Sequence, residues 1–310
     1  MHLGNAWSFL SAWLCARREN GKVILRIEDL DPQRSKASHV QAIVDDLRWL
    51  GLDWDEGPDI GGPSLPYSQS QCFDHYAAAL AKLETLGLTY PCFCTRKDLR
   101  SLPSAPQIGD MGVPYPGTCR ALSQRERQTR LQAGAKACLR FAGDQHPVYF
   151  SDLCCGPQQM TLEDCGGDFA LRRSDGVFAY QLAVAVDDAR MGVTHVVRGR
   201  DILPSTPRQI VLLRHLGEPV PQYAHVPLLL DAEGERLAKR HQSLSLAALR
   251  EMGVSPARIV GLLGKLAGIH PEGGAITPLE LSAQFSFAAL PREDVRLDSY
   301  WLAKLTEKLA

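Results

Sequence analysis

No apolar run in this chain is long enough to cross a bilayer. Stretches such as Val226-Pro227-Leu228-Leu229-Leu230 fall far short of the ~20 residues a spanning helix needs, so no membrane is expected. A basic start followed by an apolar stretch and a small-residue cleavage site is also missing, so no secretory signal is read. Excess charge is lacking too. A net charge of −1 does not provide the Lys and Arg surplus that grips long stretches of nucleic acid, although a local basic patch stays open. There is no internal repeat and no low-complexity segment. The cysteines number 9, an odd count scattered without an export signal, which points away from a disulfide framework and toward a reducing, cytoplasmic compartment. What is present is an ordinary globular composition, 45% hydrophobic and 22% charged over 310 residues, enough for about two domains and a full core.

The apolar spacing of Leu3, Trp7, Leu10 and Leu14 predicts a helix over residues 3–19, stopped at Gly21. Lys22–Ile27 is short and β-branched and reads as a strand, turned by Asp31-Pro32. A second helix carries Val40, Ile43, Val44, Leu47 and Leu50, and a third runs from near Gln71 to Gly87. Such alternation points to an α/β fold with a parallel sheet covered by helices. From residue 91 to about 168 the pattern breaks into cysteines, prolines and glycines, with helical periodicity only near Ser123–Gln132. Alternation then resumes, with Phe178–Val186 and Thr194–Arg198 read as strands. Ser205-Thr206-Pro207 is read as an N-cap opening a helix that runs to Gly217. His225–Leu230 is read as a further strand, with a turn at Asp231–Gly234. The remainder reads as short helices punctuated by Gly253, Ser255-Pro256 and Thr277-Pro278. The expected domains are 1–90 and 178–242 as two halves of a catalytic unit, 91–177 as an insertion, and 243–310 as a helical subdomain.

Two strings lie at opposite ends of this pattern. His2-Leu3-Gly4-Asn5 opens the first helix, where unpaired N–H groups favour phosphate. His2 can donate to a phosphate oxygen, and Gly4 lets a flat ring approach the backbone. Arg236-Leu237-Ala238-Lys239-Arg240 follows a predicted strand, where ligands bind in doubly wound sheets, and Lys239 can neutralise a transferring phosphoryl group. Alone, each string is as readily a chain end or a solvated basic loop. Glu28 and Arg198 end predicted strands, where one can meet an ammonium and the other clamp a carboxylate; alternatively Glu28 pairs with Arg26 or caps, and Arg198 pairs with Asp187 or Asp201. Tyr180 could add a hydroxyl and a ring wall. Cys92-x-Cys94 and the distant Cys119 can close three corners of a tetrahedron around zinc, or be three unrelated thiols.

Taken together, the two end strings resemble the HIGH and KMSKS motifs of class I aminoacyl-tRNA synthetases. Residues 1–250 resemble the glutamyl and glutaminyl branch through Arg26–Asp31, Tyr180–Asp188 and His195–Asp201. The resemblance implies a Rossmann-like catalytic domain with a zinc-bearing insertion and a small C-terminal helical subdomain. It implies catalytic and ATP-binding roles for His2, Gly4 and Lys239, and glutamate contacts for Glu28, Tyr180 and Arg198. Cys92, Cys94, Tyr115 and Cys119 resemble the one structural zinc site of the glutamyl-Q tRNA(Asp) synthetases, with tyrosine as fourth ligand. Only about 70 residues follow Lys239, too few for an anticodon-reading domain, and those enzymes share this short plan.

The implied activity is tRNA-independent activation of glutamate by ATP, with Mg2+ accompanying the nucleotide. Glutamate then passes to the queuosine in the anticodon loop of tRNA(Asp). A glutamyl-tRNA synthetase fragment, a catalytically silent tRNA- or nucleotide-binding paralogue, and a ligase for another small carboxylic acid remain alternatives. The sequence departs from the family twice. Ala238 replaces the usual serine beside Lys239, and the Arg-Phe-Ala-Pro-Ser-Pro-Thr-Gly string expected before His2 is missing. Loss of a central strand would leave an exposed parallel edge, so a start upstream of Met1 is the favoured reading.

Overall fold

The computed structural model describes residues 1–31, 35–100, 114–237, 245–297, 300, 301 and 305. Helix α1 (Leu3–Arg18) buries Leu3, Trp7, Leu10 and Leu14 along the predicted stripe. The Trp7 indole donates to the Pro227 carbonyl at 2.7 Å, tying the first helix to a segment 220 residues later. Each large apolar side chain so buried contributes about 1.5–3 kcal/mol, so packing holds this helix. Helices α2 (Ala37–Trp49) and α3 (Phe73–Thr85) follow, with a 3-10 turn at Gln69–Gln71 ahead of α3.

Strand β1 (Thr89–Cys92) and helix α4 (Arg96–Arg100) open the insertion, and helix α5 (Gln124–Gln132) stands on a capping box made by Ser123 and Glu126. Strands β2 (Cys138–Phe141), β3 (Val148–Asp152), β4 (Gly156–Met160) and β5 (Ala170–Arg172) come next. Then come helix α6 (Tyr180–Arg190), strand β6 (His195–Gly199), helix α7 (Thr206–Leu216), and strands β7 (Gln222–Val226) and β8 (Leu229–Leu230). The chain ends in α8 (Leu246–Glu251), α9 (Pro256–Leu266), α10 (Pro278–Ser282) and β9 (Val295–Arg296).

Two sheets matter for the site. One has the order β4-β3-β7-β6, with β6–β7 and β3–β7 parallel and β3–β4 antiparallel. The other, β1-β2-β5, is antiparallel and carries the cysteine-rich segment. Helices α1, α8 and α9 share one apolar core, and α3, α6 and α7 share a second. No helix among the described residues is long and apolar enough to cross a membrane.

Four local expectations are corrected. Phe178–Val186 is mostly helix α6, because Leu182, Ala183, Val184 and Ala185 are buried on several sides at once. A short run that is apolar all round has no period to separate helix from strand. Lys22–Ile27 makes only isolated parallel bridges, Ile24 with Glu56 and Ile27 with Ser68. Its backbone bonds go to loop residues Glu56 and Tyr67 rather than to a continuous ladder. Ser205 precedes α7 as expected but is itself helical, at the end of a 3-10 turn, and its hydroxyl accepts from Gln181 at 2.8 Å instead of capping. Finally, His225–Leu230 divides into β7 and β8 around Pro227, which has no N–H to give a ladder.

Candidate active site and cysteine cluster

His2 is the N-cap of α1, and its Nδ1 accepts from the Asn5 backbone N–H at 3.4 Å. With Nδ1 as acceptor, the neutral ring carries its proton on Nε2. A Cβ at Gly4 would lie 3.2 Å from that imidazole, so the absence of a side chain lets the ring fold over the helix end. Lys239 and Ala238 lie outside the described residues. The segments flanking them do not: the Gly4 Cβ position is 3.8 Å from the Leu237 Cβ, and His2 bridges to Ser245. The Leu246 N–H also donates to the Met1 carbonyl at 2.8 Å. Both feet of the 238–244 segment therefore stand against the N-terminal end of α1.

A second group of residues gathers beside the ends of β6 and β7. Arg26 bonds Asp188 at 2.7 Å and Glu28 at 3.1 Å. Burial opposes the charge on Arg26, but Asp188 and Glu28 outweigh it and hold the guanidinium firmly protonated. Tyr180 begins α6; burial pushes its hydroxyl up, the Glu28 charge adds to that, and Arg198 opposes it. Tyr180 thus lies within electrostatic reach of Glu28, Arg198, Asp188 and Arg26, a group of mixed charge. Glu28 does pair with Arg26, yet remains partly exposed at 42% of its side chain. Arg198 pairs with neither Asp187 nor Asp201; its Nε reaches His225 at 3.1 Å and its Nη2 reaches Thr206 at 2.8 Å. Asp187 is a packing residue instead, accepting from Tyr76 and Gln69.

Cys92, Cys94 and Cys119 bring their sulfurs within 4.8 Å of one another. The Cys94–Cys119 separation is 3.6 Å, close to the ~3.8 Å edge of a tetrahedron with zinc–sulfur bonds of about 2.3 Å. Three sulfurs on one centre fit a thiophilic ion such as zinc. The Tyr115 hydroxyl accepts from the Cys119 N–H at 2.7 Å, so it borders the same cluster. Two residues that sequence reasoning passed over adjoin it. Cys138 is the cross-strand partner of Cys92, and its hydrogen bond draws the Cys92 thiol down to about 4 against the pull of burial, with help from Tyr115 and Arg140. Arg140 lies 3.8 Å above the Tyr115 ring, a cation placed to balance thiolate charge. All nine cysteines are unpaired.

Sequence reading also missed Asp152, His225 and Tyr223. His225 was only the start of a predicted strand and Asp152 carried no local signal. Tyr223 is buried with its hydroxyl lacking a partner among the described residues, beside Arg198, whose guanidinium carbon is 5.5 Å from its ring.

Residues 1–290 match the family described as tRNA synthetases class I (E and Q), catalytic domain. The chain is 56% identical over 291 residues to the glutamyl-Q tRNA(Asp) synthetase of Nitratidesulfovibrio vulgaris, covering 94% of this chain and 90% of that protein. It is 50% identical over 307 residues to the enzyme of the same name from Symbiobacterium thermophilum, covering 99% and 95%. Among solved structures, it superposes on a glutamate tRNA ligase from Elizabethkingia meningosepticum, crystallised with its amino acid, with a TM-score of 0.83 at 25% identity. That likeness covers 98% of this chain and 66% of the ligase.

Proposed function

The chain belongs to the glutamyl-Q tRNA(Asp) synthetases within the class I synthetases for glutamate and glutamine, and on that premise we propose how its own residues carry the reaction. It is a ligase. In the first step a carboxylate oxygen of glutamate attacks the α-phosphate of ATP, pyrophosphate leaves, and glutamyl-adenylate forms. In the second, a hydroxyl of the queuosine cyclopentenediol in tRNA(Asp) attacks the adenylate carbonyl, and AMP leaves. No covalent enzyme intermediate is needed, so catalysis is positioning and electrostatics.

In this reading His2 donates from Nε2 to a phosphate oxygen at the α1 N-terminus, Gly4 keeps that end open to the adenine, and Lys239 offsets charge growing at the α-phosphate. Glu28 receives the ammonium of glutamate, Arg198 takes a carboxylate, and Tyr180 walls the pocket. ATP enters as its magnesium complex. Cys92, Cys94 and Cys119, with Tyr115 as fourth ligand, would hold one zinc ion, which when bound cross-links β1 to the 115–119 loop. The work is assigned to the cytoplasm.

What supports the reading is a helix N-terminus that both flanks of the Lys239 segment touch, together with a carboxylate and a guanidinium, Glu28 and Arg198, within electrostatic reach of the Tyr180 phenol. Glutamate-dependent exchange of pyrophosphate into ATP, measured without tRNA, tests it. Exchange is expected with the unaltered protein, and Lys239→Ala should lower it ~10²–10³-fold with the fold retained. An absolute requirement for tRNA would favour a conventional glutamyl-tRNA synthetase chemistry instead.

A further inference from the structure

Arg198 is a buried guanidinium whose ion-pair partner is missing. It is 9% exposed, yet among the described residues no carboxylate lies within ion-pairing distance of it, and its bonds to His225 and Thr206 go to neutral acceptors. An unpaired buried cation is costly. The compensating charge lies one residue further back. The Asp152 Oδ2 is 2.6 Å from His225 Nδ1, and both side chains are fully buried. Asp152 Oδ1 is itself held by three backbone N–H groups, those of Cys154 at 2.9 Å, Cys155 at 2.8 Å and His225 at 3.1 Å. The carboxylate can therefore only accept from Nδ1, which leaves Nε2 of the neutral ring as an acceptor. Nε2 faces Arg198 Nε at 3.1 Å and the Thr206 hydroxyl at 3.1 Å.

We propose that Asp152 and His225 form a positioning relay for Arg198, in which a neutral imidazole of fixed tautomer holds one edge of the guanidinium and keeps the other free for a substrate carboxylate. A carboxylate paired directly with Arg198 would compete with the substrate for the same nitrogens. The interposed imidazole supplies orientation and distant negative charge without that competition. The parallel register supports it, since Arg198 and His225 are Cα partners on β6 and β7, and Asp152 pairs with Tyr223 on the other side of β7. Charge states agree with the geometry. Burial pushes the His225 imidazole below its ordinary value, with Arg198 adding to that against Asp152 and Asp201. Burial opposes charge on Asp152, but the bond from His225 and the backbone donors prevail and hold it below the usual carboxylate range. Asp152, Arg198, Asp201, Cys155 and, on the same strand, Tyr223 are the ionisable groups around the ring.

The relay rests on the proposed glutamate site, and two measurements separate the claims. The first is the 15N spectrum of the His225 imidazole in the unaltered protein at neutral pH. A neutral ring protonated on Nδ1 is expected; an Nε2–H tautomer or an imidazolium overturns the relay whatever the substrate is. The second is glutamate affinity by calorimetry alongside KM for ATP in exchange. His225→Phe, which removes the acceptor, should weaken glutamate about tenfold or more while leaving KM for ATP near its original value. His225→Gln, whose amide oxygen can replace Nε2, should restore much of the loss. Equal damage to both substrates, or no rescue by glutamine, overturns the relay. Failure of the unaltered protein to bind glutamate would instead overturn the proposed function, and the imidazole spectrum still decides the relay.

Discussion

Tyr223 illustrates how a single atom can be costly in the resting protein. Its hydroxyl is buried and has no partner among the described residues. A buried, unsatisfied polar group costs about 1–3 kcal/mol. Tyr223→Phe removes the group and keeps the ring, so the ligand-free variant should melt at a higher temperature by the equivalent of ~1 kcal/mol in calorimetry. A lower melting temperature would mean that the hydroxyl is satisfied. Individual residues differed in how readable they were. Glu28, Tyr180 and Arg198 sit in recognisable strings, whereas Asp152 and His225 are 73 positions apart and meet only because β3 and β7 lie side by side. No local pattern carries information about such a contact. Lys239 was equally readable as a residue, but it lies outside the described part of the chain.

Elements differ in what stabilises them. The α1 stripe has a clear period, so its burial was legible. The Tyr180–Arg190 helix was not, because its central residues are apolar on every side and only its packing against α3 and α7 selects the helix. The β1-β2-β5 sheet is divided: Phe141 and Leu171 join the core of α3, α6 and α7, while its cysteine-bearing end has only a small apolar cluster of Tyr90, Cys92, Leu99, Tyr115 and Cys119. That thinly cored end gains from cross-linking. Purified protein should carry about one equivalent of zinc by elemental analysis, and Cys92→Ser should lower that content. Chelation should loosen the insertion at a temperature where α1, α8 and α9 remain folded, read as early loss of protection for β1 and β2 amides. Full stability in a zinc-free protein would remove the metal from the account.

Over the whole molecule, stability should depend on acidity through the buried imidazole. Burial holds the folded-state pKa of His225 below the ordinary histidine value of 6.5, so the unfolded chain takes up a proton first as pH falls. Stability from this group is complete above 6.5 and is lost as pH drops toward the folded value. The Asp152 carboxylate, also lowered, adds a loss at still lower pH. Melting temperature should therefore decline between about pH 7 and 5.5, and His225→Gln, which cannot titrate, should flatten that decline. An unchanged slope would show that His225 is not the group responsible. At this scale the α/β architecture was legible from alternating elements, while the joining of β3 and β4 to β7 and β6 was not. Sheet order depends on which edges meet, and the 148–160 segment carries no mark of its neighbour.

The Asp152–His225 contact also limits how this chain can drift. Replacing the aspartate alone strands the three backbone donors gathered on one oxygen, and replacing the histidine alone strands a buried carboxylate beside an arginine it cannot reach. Apart from a glutamine at position 225, changes at these two positions are tolerable mainly as a pair. In the proposed glutamate site, freedom to evolve toward a different amino acid lies with Glu28 and Tyr180, leaving the Asp152–His225 pair as inherited ballast.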